Sequence, residues 1–304
     1  MEKLKTMKSA FTIDVECGVN IFMRDLFKVE MPPTERVVTN TKAIVQLLKK
    51  HDTKATFFVL GDVAKHFPGL VKDIAADGHE IGVHSNQHYQ LFKLSREEAY
   101  KDTREAKDCI ENVIGQKVNG YRAPAFSILP KNSWALEMLA DSGFSYDSSI
   151  MPAKAARYGW PGFSRQIIQV QLPGNKSIIE FPLSISSVFG KEIPACGGGY
   201  LKWFPYWFTA KAFNHINETQ PANLYMHPYE IDTVRYPDYY YAEIKKLSLL
   251  RQAKMSLLQV NKSTVYNKLD LLLKNFSFDT MQHIIDDYKA RHAIAAVPME
   301  QFLS

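Results

Sequence analysis

Short apolar runs rich in β-branched and aromatic residues alternate with amphipathic stretches from residue 9 to about residue 227. That alternation restricts the chain to folds in which parallel strands are covered by helices. The runs Ser9–Val15, Lys54–Val59, Glu80–Val83, Val118–Tyr121, Phe144–Tyr146, Ser177–Ile185 and Asn223–Met226 predict strands. Helix punctuation lies between them. Ser95-Arg-Glu-Glu98 is a capping-box pattern whose helix is expected to end near Gly115. Asp77-Gly78 and Ser142-Gly143 mark helix stops before strand entry. Val37, Ile44, Val45, Leu47 and Leu48 form an apolar stripe near helical period, which is read as core packing. Seven or so such units predict a distorted (β/α) barrel of about seven parallel strands. A doubly wound open sheet is the alternative.

Residues 155–210 break the rhythm, with Tyr158-Gly-Trp160-Pro-Gly162 and Gly197-Gly-Gly-Tyr200-Leu-Lys-Trp203-Phe-Pro205. They are expected to form a loop-rich insertion over a site, within a barrel unit of residues 1–240. Residues 241–304 carry heptad-like leucines and are expected to be a helical extension packed on the barrel. The 304 residues are 46% hydrophobic and 23% charged, an ordinary globular mix. The net charge of +5 is spread among acidic residues, which argues against a nucleic-acid partner. A weakly basic surface suits an anionic substrate or peripheral membrane contact as well as simple solubility. Three distant cysteines, Cys17, Cys109 and Cys196, argue against a disulfide framework or a structural zinc site. The charged stretch Met1–Lys8 does not resemble a secretory leader, and no apolar run approaches the ~20 residues that span a bilayer. The expected location is the cytoplasm.

In an α/β barrel, reactive side chains sit at the C-terminal ends of strands, and candidates end five of the predicted strands. Asp14 and Glu16, at i and i+2, place two carboxylates on one face of an otherwise apolar segment. Burying both requires a cation or a proton. The plainer reading has them solvated, or paired with Arg24 or a lysine. His84 and His88 stand at i and i+4, a spacing that lets two imidazoles share a metal on one helical face; a polar turn with incidental histidines is the alternative. Arg122, before the proline turn Ala-Pro124-Ala-Phe126, can orient a carboxylate, a surface arginine before a turn being the commoner case. Asp147 in Tyr146-Asp-Ser-Ser149 reads as a cap or turn. His227, delivered by Leu224-Tyr-Met226 and followed by Pro228, suits proton transfer or a structural core role. One carboxylate and two histidines make a three-ligand site with an open position. A second carboxylate and a distant histidine complete the equipment for metal-assisted amide hydrolysis.

The order and form of these motifs resemble the polysaccharide deacetylase family, which shares the NodB-type domain. In that family's Thr-Phe-Asp-Asp motif the first Asp is the base and the second a metal ligand. Here the segment is Thr12-Ile-Asp14-Val-Glu16, so the resemblance makes Asp14 the base and passes the ligand role to Glu16. The family's His-(Ser/Thr)-x-x-His ligand motif is matched by His84, Ser85 and His88, and its Arg-x-Pro motif by Arg122 and Pro124. The late Leu-x-His motif, which supplies the acid, is matched by His227. Asp147 falls at the fourth motif without its usual Trp. The resemblance implies one divalent metal, with Zn²⁺ expected, and an oxyanion donor near Ala125 or Phe126. Cys196-Gly-Gly-Gly-Tyr200 and Tyr225-Met-His227-Pro-Tyr-Glu230-Ile-Asp232 are similar to the subgroup found with bacterial exopolysaccharide and surface-glycan biosynthesis. The implied activity is N-deacetylation of an amino sugar, glycan or sugar-linked carrier, with Asp147, Pro124, Phe126, Tyr200 and Trp203 as candidate substrate contacts. Alternatives are a related hydrolase (an O-deacetylase, a deformylase or a cyclic-amide hydrolase) and a non-catalytic glycan-binding module.

Overall fold

The computed structural model describes residues 7–154, 158–188 and 191–303. Residues 1–6 of the charged N-terminal stretch, 155–157 and 189–190 of the expected insertion, and 304 of the expected extension lie outside the described residues. The strands are β1 (Ser9–Val15), β2 (Thr56–Val59), β3 (Glu80–Val83), β4 (Gly120–Tyr121), β5 (Tyr146–Asp147), β6 (Ile168–Leu172), β7 (Lys176–Glu180), β8 (Ser186–Val188), β9 (Lys191–Ile193), β10 (Asn223–Met226), β11 (Phe278–Asp279) and β12 (Ala296–Pro298).

The central path runs β10-β1-β2-β3-β4-β5-β7, and all seven of these strands are parallel. Every residue of β1 is buried, as expected for a strand packed on both faces. Its polar Thr12 is satisfied by donating to Leu224 O at 2.9 Å. No ladder joins β7 to β10 among the described residues; loop and side-chain contacts span that seam instead. Beyond β7, Phe181 N donates to Asp147 O (2.9 Å), and Ser184 Oγ then accepts from Asn223 N (2.8 Å). Farther along β10, Tyr225 N donates to Cys196 O at 3.1 Å. The expected barrel is therefore present with one irregular seam.

The helices follow the punctuation. Ser95 Oγ accepts from Glu98 N (3.2 Å), and the Glu98 carboxylate accepts from Ser95 N (2.8 Å), which starts Arg96–Ile114. Gly115 ends that helix at φ +72°, and Gly78 and Gly143 adopt the same left-handed form after theirs. The stripe Val37, Ile44, Leu47 and Leu48 is buried on the helix Glu35–Lys50.

Two segments depart from expectation. Within residues 155–210 the predicted strand Ser177–Ile185 is present only as β7, and β6, which was not predicted, joins it in an antiparallel hairpin turned by Pro173-Gly-Asn175. Beyond residue 241 come the helices Leu249–Leu257, Lys262–Asn275 and Met281–Arg291, but β11 also pairs with β1, and β12 with β6. The C-terminal segment thus adds strands to the sheet as well as covering it.

Candidate active site and metal centre

Strand β1 ends by presenting Asp14 and, one residue past it, Glu16. Both are almost fully buried. Glu16 Oε1 lies 2.9 Å from His84 Nε2 and 2.9 Å from His88 Nε2. His84 follows β3, and its Nδ1 donates to Arg122 O at 2.8 Å. That bond fixes the tautomer and turns the Nε2 lone pair toward Glu16. His88 does not reach the site along a helical face. Residues 84–90 form a loop with left-handed backbone at Ser85 (φ 64°) and His88 (φ 61°), stabilised by His88 N donating to Ser85 Oγ (3.0 Å). Arg24, an expected alternative partner of the two acids, instead holds this loop through the carbonyls of Gln87 and His88 and pairs with Asp25.

Two imidazole nitrogens and an anionic oxygen at these distances are mutually repulsive acceptors unless a proton or a cation lies among them. Burial pushes the Glu16 carboxyl up, but His88, His227 and His84 outweigh it and hold the group well below the usual range. Glu16 therefore stays ionised in a buried place. Oxygen and two imidazole nitrogens are a donor set suited to a divalent transition metal with an open position. Glu16, His84 and His88 offer ligand atoms within 4.8 Å of one another, and so do Asp14, Glu16 and His227.

Beside this trio Asp14 has a different partner. Arg122 Nη1 donates to Asp14 Oδ1 at 2.8 Å and to Thr12 Oγ1 at 2.8 Å. The rest of the guanidinium is fixed by Ser148 O (3.0 Å) and Ser148 Oγ (2.9 Å). Arg122 is completely buried and packs under the Phe58 ring, so one oxygen of Asp14 is held while Oδ2 faces the cavity side. His227 stands opposite, with Nε2 3.8 Å from Asp14 Oδ2 and 3.7 Å from Glu16 Oε1. Those distances exceed a direct hydrogen bond, so neither acid consumes its proton. The other ring nitrogen, Nδ1, meets Glu230 Oε1 at 3.3 Å, and Glu230 Oε2 accepts from His227 N at 3.1 Å. Burial pulls the His227 pKa down, but Glu16, Glu230 and Asp14 raise it to about 10.

These groups open onto a cavity of about 490 Å³, lined by Asp14, Glu16, His88, His227, Ala125 and Phe126 and walled by Tyr158, Tyr229, Lys254, Met255 and Leu258. Of the remaining sequence candidates, Pro124 is buried and does not line the cavity. Tyr200 stacks on Phe204 and Trp203 is half exposed; neither lines the cavity. Asp147 is buried away from it, accepting from Ser149 Oγ (2.5 Å) and lying in register with Glu180 of β7. Glu230 and the cavity helix Gly18–Phe27 were not anticipated. The spacing His227-x-x-Glu230, capping-box-like around Pro228, was the available signal for the former.

Residues 31–145 match the family described as polysaccharide deacetylase. Residues 31–145 are thus a polysaccharide deacetylase segment of this chain. That matched stretch supplies His84, His88 and Arg122. Residues 148–286, which include His227 and Glu230, match a domain of unknown function. Asp14 and Glu16 precede both, so the site is assembled from three parts of the chain. A peptidoglycan-N-acetylglucosamine deacetylase of Bacillus cereus is 32% identical over 146 residues, 48% of this chain and 49% of that protein. A chitooligosaccharide deacetylase of Azorhizobium caulinodans is 35% identical over 85 residues, 28% of this chain and 40% of that protein. The chain thus spans at most about half the length of these relatives. A crystal structure from Mycobacterium smegmatis, provisionally described as a polysaccharide deacetylase, superposes with a TM-score of 0.64 at 19% identity, over 97% of this chain and 94% of that one. At that identity the likeness speaks to the fold.

Proposed function

We propose that this chain is a metal-dependent N-deacetylase that removes an acetyl group from an amino sugar in bacterial glycan biosynthesis, acting in the cytoplasm. The observation that carries this reading is the convergence of Glu16, His84 and His88 beside an arginine-held Asp14, with His227 across the gap. It is supported by the polysaccharide deacetylase match of residues 31–145 and by relatives named as N-deacetylases of peptidoglycan and chitooligosaccharide.

Glu16, His84 and His88 would hold a divalent metal, which we assign as Zn²⁺ and which would supply Lewis acidity toward an acyl carbonyl and toward water. Asp14 Oδ2 accepts the proton of the attacking water, while Arg122 on Oδ1 keeps the carboxylate oriented. Phe126 N–H is committed to Ala123 O at 3.1 Å, so Ala125, in a left-handed turn on the cavity wall, is our choice of backbone oxyanion donor. His227 Nε2 gives its proton to the departing amine, and Glu230 holds the opposite ring nitrogen. Glu230 on the opposite ring nitrogen and Asp14 across the gap favour the protonated ring.

The test is acetate release from N-acetylglucosamine oligomers. Asp14→Asn and His227→Ala are each expected to lower kcat by about 10²–10⁴, and Glu16→Gln to abolish stoichiometric metal in the purified chain. Unchanged turnover in Asp14→Asn and His227→Ala removes the reading.

A further inference from the structure

The cavity has one wall unlike the others. It is the helix Leu249–Leu257, whose Lys254 and Met255, with Leu258 just beyond, line the cleft holding Asp14, Glu16 and His227. Met255 is the buried residue of that helix. Its outer face carries leucines where a water-facing helix carries polar residues: Leu249, Leu250 and Leu257 are 83%, 69% and 51% exposed. Cations surround them. Residues 244–269 contain Lys245, Lys246, Arg251, Lys254, Lys262 and Lys268 and no acidic residue. Lys245, Lys246, Arg251 and Lys254 are exposed, and Lys246 pairs with Glu243 at 2.5 Å. Lys202 Nζ donates to Leu258 O at 3.2 Å, which ties the half-exposed Trp203 to the same end of the helix.

An exposed leucine face ringed by lysine and arginine, with an aromatic beside it, is the chemistry of a helix lying in the headgroup region of an anionic bilayer. No helix among the described residues is long and apolar enough to cross a membrane, so such contact would be peripheral. We infer that the helix Leu249–Leu257 seats on an anionic lipid surface, and that the amino sugar entering the adjoining cleft is carried by a membrane-anchored lipid. The substrate half of this inference rests on the deacetylase reading; the docking half does not.

The full chain is floated with vesicles of phosphatidylglycerol and phosphatidylcholine, and with phosphatidylcholine alone. Binding is expected to the anionic vesicles and to weaken with salt. Leu249→Ser combined with Leu250→Ser is expected to lower partitioning more than about tenfold. Lys245→Gln and Arg251→Gln are each expected to lower it about fivefold. These exposed variants are expected to keep full deacetylation of a soluble N-acetylated oligosaccharide. On vesicles bearing an N-acetylglucosaminyl lipid, the leucine variant is expected to lose its kcat/KM selectively. Absence of flotation, or flotation indifferent to the leucines, overturns the inference. So does a dimer that dissociates in the leucine variant without vesicle binding, which would give the patch to a second copy of the chain. Flotation without acetate release from any N-acetylated sugar preserves the docking and removes the deacetylase reading instead.

Discussion

Two pairs of buried carboxylates lie in the same barrel wall and meet opposite electrostatic fates. Asp14 and Glu16, at the end of β1, are surrounded by Arg122, His84, His88 and His227. Asp147 and Glu180, in register on β5 and β7, have hydroxyl and amide donors from Ser149 and Ile150 but no cation in direct contact among the described residues. Glu16 is held well below the usual carboxyl range, whereas burial pushes Asp147 up to about 6 and Glu180 well above the ordinary value. Burial is alike in both pairs; the partners differ. A buried acid next to cations is a base or a ligand, and a buried acid next to another acid is a proton store or a structural hydrogen-bonding group.

The strongest way to break this contrast is to remove the cation from the first pair. Arg122→Ala leaves Asp14 buried without its cation, and Thr12 and Ser148 each lose a donor while keeping their other partners. Stability is expected to fall by about 3–5 kcal/mol, read by urea denaturation, with deacetylation lost. Arg122→Lys is expected to restore most of the stability but little of the rate, because an ammonium cannot hold the same four contacts at once. If Arg122→Ala unfolds at the wild-type urea midpoint, the guanidinium is not what makes Asp14 tolerable in the wall.

A smaller effect is expected at Glu230, which gives the histidine its own carboxylate. Glu230→Gln removes one of the three acids that raise the His227 pKa. The alkaline limb of the kcat profile is expected to move to lower pH, with kcat at neutral pH reduced by about one order of magnitude. Gly198→Ala provides a second perturbation of the same place, since a Cβ there would overlap the Glu230 carboxylate and also crowd the Met226 backbone of β10. A pH profile unchanged in both variants would mean that Glu230 only caps the turn after β10.

The contrast between the pairs also explains what was legible in the sequence. Period and punctuation are local, so β1, β3, β10 and the helix from Arg96 to Ile114 are where the sequence predicts them. The same pattern puts Asp14, Glu16, Arg122 and His227 at strand ends. β7 falls on the predicted strand at Ser177, whereas β6 carried its own signal, the alternation Ile168-Gln-Val-Gln-Leu172 before Pro-Gly-Asn, which the surrounding Gly- and aromatic-rich stretch obscured. His84 and His88 meet through left-handed residues in a loop, a conformation that spacing does not encode. Asp147 reads as a cap because its partner Glu180 is distant in sequence and adjacent only through strand register.

That register supplies the finest test of the comparison. In the second pair the folded state binds more protons than the unfolded chain once pH exceeds the ordinary carboxyl range. The contribution of Asp147 and Glu180 is therefore fully present below about pH 4 and is lost as pH rises through about 6 for Asp147. Glu16 has the opposite sign in the metal-free chain: its contribution is present above its unfolded pKa and is lost as pH falls. Glu180→Gln keeps a donor toward Asp147 while removing one ionisable group from the pair. The fall in thermal stability of the metal-free protein between pH 4 and pH 7 is expected to flatten by on the order of 1–2 kcal/mol, with deacetylation within about twofold of wild type. An unchanged slope in Glu180→Gln would mean that the second pair ionises as freely as the first. Proximity to cations would then no longer account for the difference between them.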